Sequence, residues 1–208
     1  MVENPNLDDA YAMSSPEEVK ALYRTWSLSY DVVFSDGQGY QLPRNVAAAF
    51  VGAGGIGPVL DVGAGTGLVG GLLRHMNVKD IDGIDLSEEM LEVARMKGDY
   101  RRLYTGDVTQ PLSLIDAPYM GVVSAGTLTL GHVGPKALGH LLNIAAFGAL
   151  FVISVNAAHY VSAGFEAAFA ELGDRIAGLT IRDVRIYDDR ADEKHRSDRA
   201  KLLVFSKA

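Results

Sequence analysis

The feature that most constrains this chain is Val59-Leu60-Asp61-Val62-Gly63-Ala64-Gly65-Thr66-Gly67, where four strand-forming residues break into alternating glycines and lead to Leu68, Val69, Leu72 and Leu73 at helical spacing. A strand turning this sharply into a helix opens a β-α-β unit, and such units assemble as parallel strands with crossover helices. Missing side chains at Gly63, Gly65 and Gly67 permit the tight turn and let a ligand approach the backbone. The first N–H groups of the following helix have no partner inside it, so the loop is expected to offer them to a polar or anionic ligand group.

The alternation continues down the chain. Strands are expected at 59–62, 80–85, 100–104, 120–124 and 149–155, and helices at 66–76, 88–97, 135–147 and about 159–172. Two later β-like segments, 180–187 and 201–205, are joined by the charged stretch 188–199 and should pair as an antiparallel edge. The predicted fold is therefore α/β: a Rossmann-like, mostly parallel seven-stranded sheet with helices on both faces and an antiparallel C-terminal edge. Ahead of it, Ser15-Pro16-Glu17-Glu18 has the form of a capping box with proline at the first helical position, followed by Val19, Leu22, Tyr23 and Trp26 on one helical stripe. A second helix is expected over 43–51, and the glycines between 52 and 57 read as connection. Residues 1–57 are expected to form a helical lid segment on a cofactor-binding sheet core, 58–208, within one domain.

A length of 208 residues suits a single buried core, and 48% hydrophobic with 22% charged residues is ordinary globular usage. The net charge of −7 would repel a phosphate backbone, so no nucleic-acid partner is expected and a small-molecule partner is. With no cysteine and five scattered histidines, no disulfide and no metal site is expected. The lack of cysteine also suits a reducing compartment, and a cytoplasmic location is expected. Residues 1–15 lack the basic start and apolar core of a secretory signal. The longest apolar stretch, 144–153, is about half of the ~20 residues a membrane span needs, so no membrane partner is expected.

In open parallel sheets ligands bind outside the carboxyl ends of the strands. Asp85 ends the second strand twenty residues beyond Gly65, the offset at which an acidic side chain accepts hydrogen bonds from ribose hydroxyls. The same carboxylate could simply cap the helix that starts near Ser87. Gly106-Asp107 ends the third strand and brings a second carboxylate to that edge, with a plain turn residue as the alternative reading. Gly65-Thr66-Gly67-Leu68-Val69-Gly70 also satisfies the bare Gly-x-Gly-x-x-Gly pattern, which keeps an NAD(P)-dependent oxidoreductase as a rival. Counted from Gly63, however, the third glycine would fall at 68, which is Leu.

Taken in order, Asp61 to Gly67, then Asp85-Leu86-Ser87-Glu88-Glu89-Met90, then Gly106-Asp107-Val108 resemble the successive motifs of class I S-adenosylmethionine-dependent methyltransferases. More narrowly, Tyr30-Asp31, Gly39-Tyr40, Val123-Ser124-Ala125-Gly126-Thr127 and Gly131-His132-Val133-Gly134-Pro135 resemble the methyltransferase-like proteins named for the Williams–Beuren syndrome chromosomal region. The resemblance runs from about residue 23 to 165. It implies S-adenosyl-L-methionine as cofactor and methyl transfer to a small-molecule acceptor by direct in-line displacement. It also implies that Asp61, Gly63, Ala64, Gly65, Thr66 and Gly67 lie along the methionine part, with Tyr30 as a further cofactor contact. Asp85 and Leu86 would take the ribose, and Met90, Gly106, Asp107 and Val108 the adenine. Ser124, Ala125 and Gly126 would close the pocket. Met120 stands where many relatives begin the fourth strand with Asp.

On the acceptor side the candidates are His132 and Tyr160 as catalytic groups and Tyr40, Asn156 and His159 as substrate contacts. His132 lies in a glycine-rich loop after the fourth strand, where it could deprotonate a hydroxyl acceptor, although a loop histidine is more often simply solvated. Asn156, His159 and Tyr160 follow the fifth strand at the same edge. A function of a different class also fits these residues: a cofactor-binding scaffold without transfer activity, since the chain lacks both the acid at Met120 and a strong catalytic constellation.

Overall fold

The computed structural model describes Glu18, Leu22 and residues 30–113, 118–130 and 133–208, with residues 32–34 as backbone only. Glu18 and Leu22 are helical, and the rest of the helix expected from the capping box, with Tyr23 and Trp26, lies outside the described residues. A π-helical turn, Tyr30–Asp36, leads through Tyr40 into α1 (Leu42–Gly52). There follow β1 (Val59–Val62), α2 (Leu68–His75), β2 (Ile81–Asp85), α3 (Glu88–Lys97) and β3 (Arg102–Thr105). The chain continues with β4 (Tyr119–Leu128), α4 (Lys136–Ile144), β5 (Ala145–Asn156), α5 (Ala157–Ser162), α6 (Phe165–Leu172), β6 (Ile176–Arg185) and β7 (Arg199–Lys207).

The strands form one seven-stranded sheet in the order β3-β2-β1-β4-β5-β7-β6. β1 to β5 pair in parallel, and β7 is antiparallel to both β5 and β6. Strand order reverses at β1, with β2 on one side and β4 on the other, and a crevice opens above such a switch point. The glycine loop after β1 and the end of β4 are thereby brought to the same place.

Both sheet faces are covered, which explains why β1 is buried along its whole length. On one face Val46, Ala47 and Phe50 of α1 and Val69 and Leu73 of α2 pack on Val59, Ile81, Val123 and Val152. On the other, Leu138, Leu141 and Leu142 of α4 and Phe165 and Phe169 of α6 cover Leu60, Val122, Phe151, Ile153 and Phe205. Phe151 and Phe205 stack at 4.8 Å, and Phe169 meets Phe205 edge-on. Each such buried side chain contributes about 1.5–3 kcal/mol relative to exposure. Because α1 is part of this packing, the described portion of the expected lid that overhangs the sheet's edge is residues 30–41.

Several expected boundaries move, among them the end of β4, which runs to Leu128 instead of 124. The helix expected over 135–147 stops at Ile144, and β5 starts at Ala145, bulging between its pairings to Tyr119 and Gly121 so that Phe147 is exposed. The helix expected over 159–172 is two helices, because Gly164 sits at φ 74, a left-handed conformation that ends one helix and admits the next. β6 starts at Ile176 instead of 180. As an edge strand it is exposed at most positions, so its sequence carries no burial pattern to read. Among the described residues no helix is long and apolar enough to cross a membrane.

Candidate functional site

A cleft of about 1060 Å³, open solvent included, lies outside the carboxyl ends of β1, β2 and β4. Its floor is the glycine loop. Gly63 has φ 70, and a Cβ there would fall 1.8 Å from Thr127 Oγ1, whose hydroxyl donates to the Val62 carbonyl. Its lack of a side chain therefore serves the protein's own packing. At Gly65 (φ 53) an added Cβ would meet nothing closer than Met90 Cε at 3.9 Å, so this glycine presents bare backbone to the cleft. Gly67, in the left-handed region, caps α2 against the Tyr100 ring and Ala94.

The expectation of open donors is met at the first two N–H groups of α2, Leu68 and Val69, but not in the turn before them or at Gly70. Gly63 and Ala64 donate to the Ile84 carbonyl at 2.8 and 3.0 Å, Gly65 to Asp85 Oδ2 at 2.8 Å, Gly67 to the Ala64 carbonyl and Gly70 to the Tyr100 hydroxyl. The turn winds so tightly over the end of β2 that its own neighbours take these donors.

Asp85 is held by that turn. One oxygen accepts from Gly65 and the other from the Ser87 backbone at 2.9 Å. Burial raises its pKa above the ordinary carboxylate value, and the bonds from Ser87 and Gly65 oppose the rise. The capping role belongs to Ser87, whose hydroxyl accepts from the Met90 N–H at the start of α3. Asp85, Leu86, Met90, Gly106, Asp107 and Val108 all line the cleft and form one wall of it. Met90 is 3% exposed, so it is both a core residue of α3 and part of that wall. One Asp107 oxygen accepts from the Thr109 N–H and hydroxyl, which fixes the turn after β3.

Asp61 is placed differently from the loop that follows it. It is fully buried beside β2 and does not line the cleft. One of its oxygens accepts the Tyr100 hydroxyl at 2.6 Å, and the other has no hydrogen-bond partner. Burial pushes its pKa up to about 7, with the Tyr100 bond opposing and the Asp85 charge adding. Ser124 is likewise buried, donating to the Val62 carbonyl at 2.8 Å. Ala125 and Gly126 reach the cleft, and the Gly126 N–H is held by Ser154.

Tyr30 and Tyr40 face the glycine loop from the overhanging segment. The Tyr40 hydroxyl lies so near Gly126 that a Cβ there would be 2.1 Å away. Of the candidates after β5, none lines the cleft. Asn156 caps α5 by accepting from the Ala158 and His159 N–H groups, and Tyr160 is buried in stacking contact with Phe165. His159 donates from Nε2 to the carbonyl of Val133, a cleft residue, and is 8% exposed. His132 lies outside the described residues. Thr127, Val133, Pro43 and Val69 line the cleft without having been singled out; Thr127 and Val133 lay inside quoted motifs, whereas Pro43 and Val69 carry no local signal beyond helix packing. Among the described residues no cluster of His, Asp or Glu could hold a metal.

Residues 59–147 match the family described as a methyltransferase domain. Over 84 residues, 40% of this chain, the sequence is 37% identical to human methyltransferase-like protein 27, and the match spans about a third, 34%, of that relative's length. Among solved structures, magnesium protoporphyrin IX methyltransferase from Synechocystis with bound SAM is similar at a TM-score of 0.66 and 19% identity, covering 99% of this chain and 100% of that one. A SAM-dependent methyltransferase from Thermotoga maritima, described as a possible histamine N-methyltransferase, gives 0.61 at 13% identity over 90% and 98% of the two chains. At these identities the structural matches establish a shared fold.

Proposed function

From a chain that has the fold of the class I S-adenosylmethionine-dependent methyltransferases and their domain over residues 59–147, we propose an enzyme that methylates a small molecule from S-adenosyl-L-methionine in this cleft. The observation that carries the cofactor is the charge of the cleft lining, taken with the state of the glycine loop. A dinucleotide site needs backbone donors turned toward its pyrophosphate, and here the N–H groups of Gly63, Ala64, Gly65, Gly67 and Gly70 are engaged inside the protein, which leaves Leu68 and Val69 at the start of α2. Among the described lining residues there are also two carboxylates, Asp85 and Asp107, and no Lys, Arg or His. That balance suits a cationic sulfonium and disfavours two phosphates.

The residues present fit such a group. Bare backbone at Gly65 admits close approach, Asp85 can accept from ribose hydroxyls, and Leu86, Met90 and Val108 offer an apolar slot for a purine ring. Bound there, the cofactor supplies an activated methyl group on sulfur, ready for in-line displacement. The chain's part is to hold the acceptor in line and keep water out, effects worth up to about 7–11 kcal/mol for well-oriented reactants. Tyr40, Thr127 and Val133 would make up the acceptor-side wall, with Tyr30 kept as a cofactor contact and the Tyr40 hydroxyl as an orienting group. A small-molecule acceptor is supported by the concave site, by the net charge of −7 and by the protoporphyrin methyltransferase among the structural neighbours. The same charge argues against nucleic acid, and the absence of cysteine is in keeping with a cytoplasmic location. His132 stays the proposed base for a hydroxyl acceptor.

Calorimetry with S-adenosylmethionine, S-adenosylhomocysteine and NAD tests the cofactor, with binding expected for the first two. NAD binding in their place overturns it. Asp85→Ala should weaken S-adenosylhomocysteine binding about ten- to a hundredfold, the worth of roughly 1.5–3 kcal/mol for hydrogen bonds to a charged group. A metabolite screen that follows S-adenosylhomocysteine release would identify the acceptor.

A further inference from the structure

Residues 30–41 form a strap beside the cleft, with Tyr30 at one end and Tyr40 near the other both lining it. The Tyr40 end is held to the C-terminal part of the chain by a dense set of contacts. Gln41 donates its N–H to the Ile186 carbonyl, Asp188 donates its N–H to the Gly39 carbonyl, and Gln41 Nε2 reaches Asp188 Oδ2 at 3.1 Å. Arg190 Nη1 donates to the Asp36 carbonyl at 2.8 Å, and Tyr40 bridges to Tyr187. The charged stretch 188–199 is thus an anchor for the strap, with Arg190 holding the Asp188 carboxyl down at about 2.

The Tyr30 end is held differently. Asp31 Oδ1 accepts from Thr66 Oγ1 at 2.5 Å, and Asp31 Oδ2 pairs with Lys97 Nζ at 2.5 Å. Thr66 stands between Gly65 and Gly67 on the cleft floor, and Lys97 is the last residue of α3, whose first turn carries Met90. One carboxylate therefore ties the strap to both elements that would grip the two halves of a cofactor. The Asp31 and Lys97 side chains are 32% and 31% exposed, so water competes for this contact and can open it without unfolding the sheet.

We propose that Asp31 is a positioning residue that latches the strap to the glycine loop and to α3, closing the cleft over the bound cofactor. The inference rests on the reading of this cleft as a methyl-donor site. With the latch open, Tyr30 loses its set position over the loop, and apparent affinity falls by the fraction of molecules in which the strap is closed. The loss appears as faster release, because the strap lines the cleft that the ligand leaves.

The test is stopped-flow release of S-adenosylhomocysteine together with the melting temperature of the ligand-free protein. Asp31→Ala should release the ligand about tenfold faster and melt close to the parent, with Asp31→Glu restoring slow release. Asp31→Asn keeps an acceptor for Thr66 and loses the charge, so its release should be intermediate and should lose the parent's acceleration at high salt. Release from Asp31→Ala at the parent's rate overturns the latch. So does faster release matched by an equal fall in ligand-free stability and not corrected by Glu. If the parent binds no S-adenosylhomocysteine, the methyl-donor reading fails, and hydrogen exchange in the ligand-free protein still decides the latch. Loss of protection in Asp31→Ala confined to residues 30–41 sustains it, and equal protection in both proteins overturns it.

Discussion

Replacing Asp61 with Asn should change how stability depends on pH far more than it changes the fold. The side chain is fully buried, with one oxygen on the Tyr100 hydroxyl and the other without a partner. Burial lifts its pKa from 3.8 to about 7. Between those values the folded chain binds a proton that the unfolded chain has released. The protonated carboxyl's contribution to stability is therefore complete below about pH 4 and is lost as pH rises to about 7. At about 1.4 kcal/mol per unit, the two units of that span above pH 5 correspond to roughly 2–3 kcal/mol. Asn stays neutral throughout and keeps an acceptor for Tyr100. Urea unfolding of both proteins at several pH values between about 5 and 8 gives the difference directly, and subtraction removes the carboxylates they share. The parent should lose about 2–3 kcal/mol relative to Asp61→Asn across that range. A difference that does not vary with pH would mean that Asp61 is ionised throughout, and the argument from its burial would be wrong.

Tyr100→Phe removes both the donor to Asp61 and the acceptor for the Gly70 N–H, and should cost about 1–3 kcal/mol in denaturant unfolding; unchanged stability would show that water replaces the hydroxyl. Gly63→Ala combines a left-handed backbone with a Cβ 1.8 Å from Thr127 Oγ1, so it should cost roughly 1–3 kcal/mol and lower the melting temperature; a stability equal to the parent's would refute the close packing. His132→Ala should leave S-adenosylhomocysteine affinity in calorimetry nearly unchanged and lower turnover once an acceptor is known, and weakened cofactor binding with full turnover would move His132 to the cofactor side.

The α/β architecture was legible because its signals are local: a short run such as Val59–Val62, apolar but for Asp61, with a glycine turn behind it, and helical stripes such as Leu68, Val69, Leu72 and Leu73. β2 and α3 lie within a residue or so of their expected limits for the same reason. The edge strand β6 started earlier than expected because exposure on an edge leaves no alternation in the sequence. Most of the residues expected along the glycine loop, β2 and β3 line the cleft, since strand ends in a parallel sheet share one edge whatever the details of packing. Asn156, His159 and Tyr160 share that edge in sequence order, yet their side chains turned to capping and core contacts.

What the sequence by itself determined was the succession of strands and helices along the chain and the motif residues brought to the carboxyl edge of the sheet, because periodicity and glycine placement act over a few residues. Only the tertiary structure decided which groups remain available to a ligand. Tyr100, thirty residues beyond Gly70, takes that N–H and the Asp61 carboxylate, and Thr127 fills the space beside Gly63. Asp31 reaches Thr66 and Lys97 across 35 and 66 residues of chain. Contacts at such separations depend on how whole elements pack, and no local pattern encodes them.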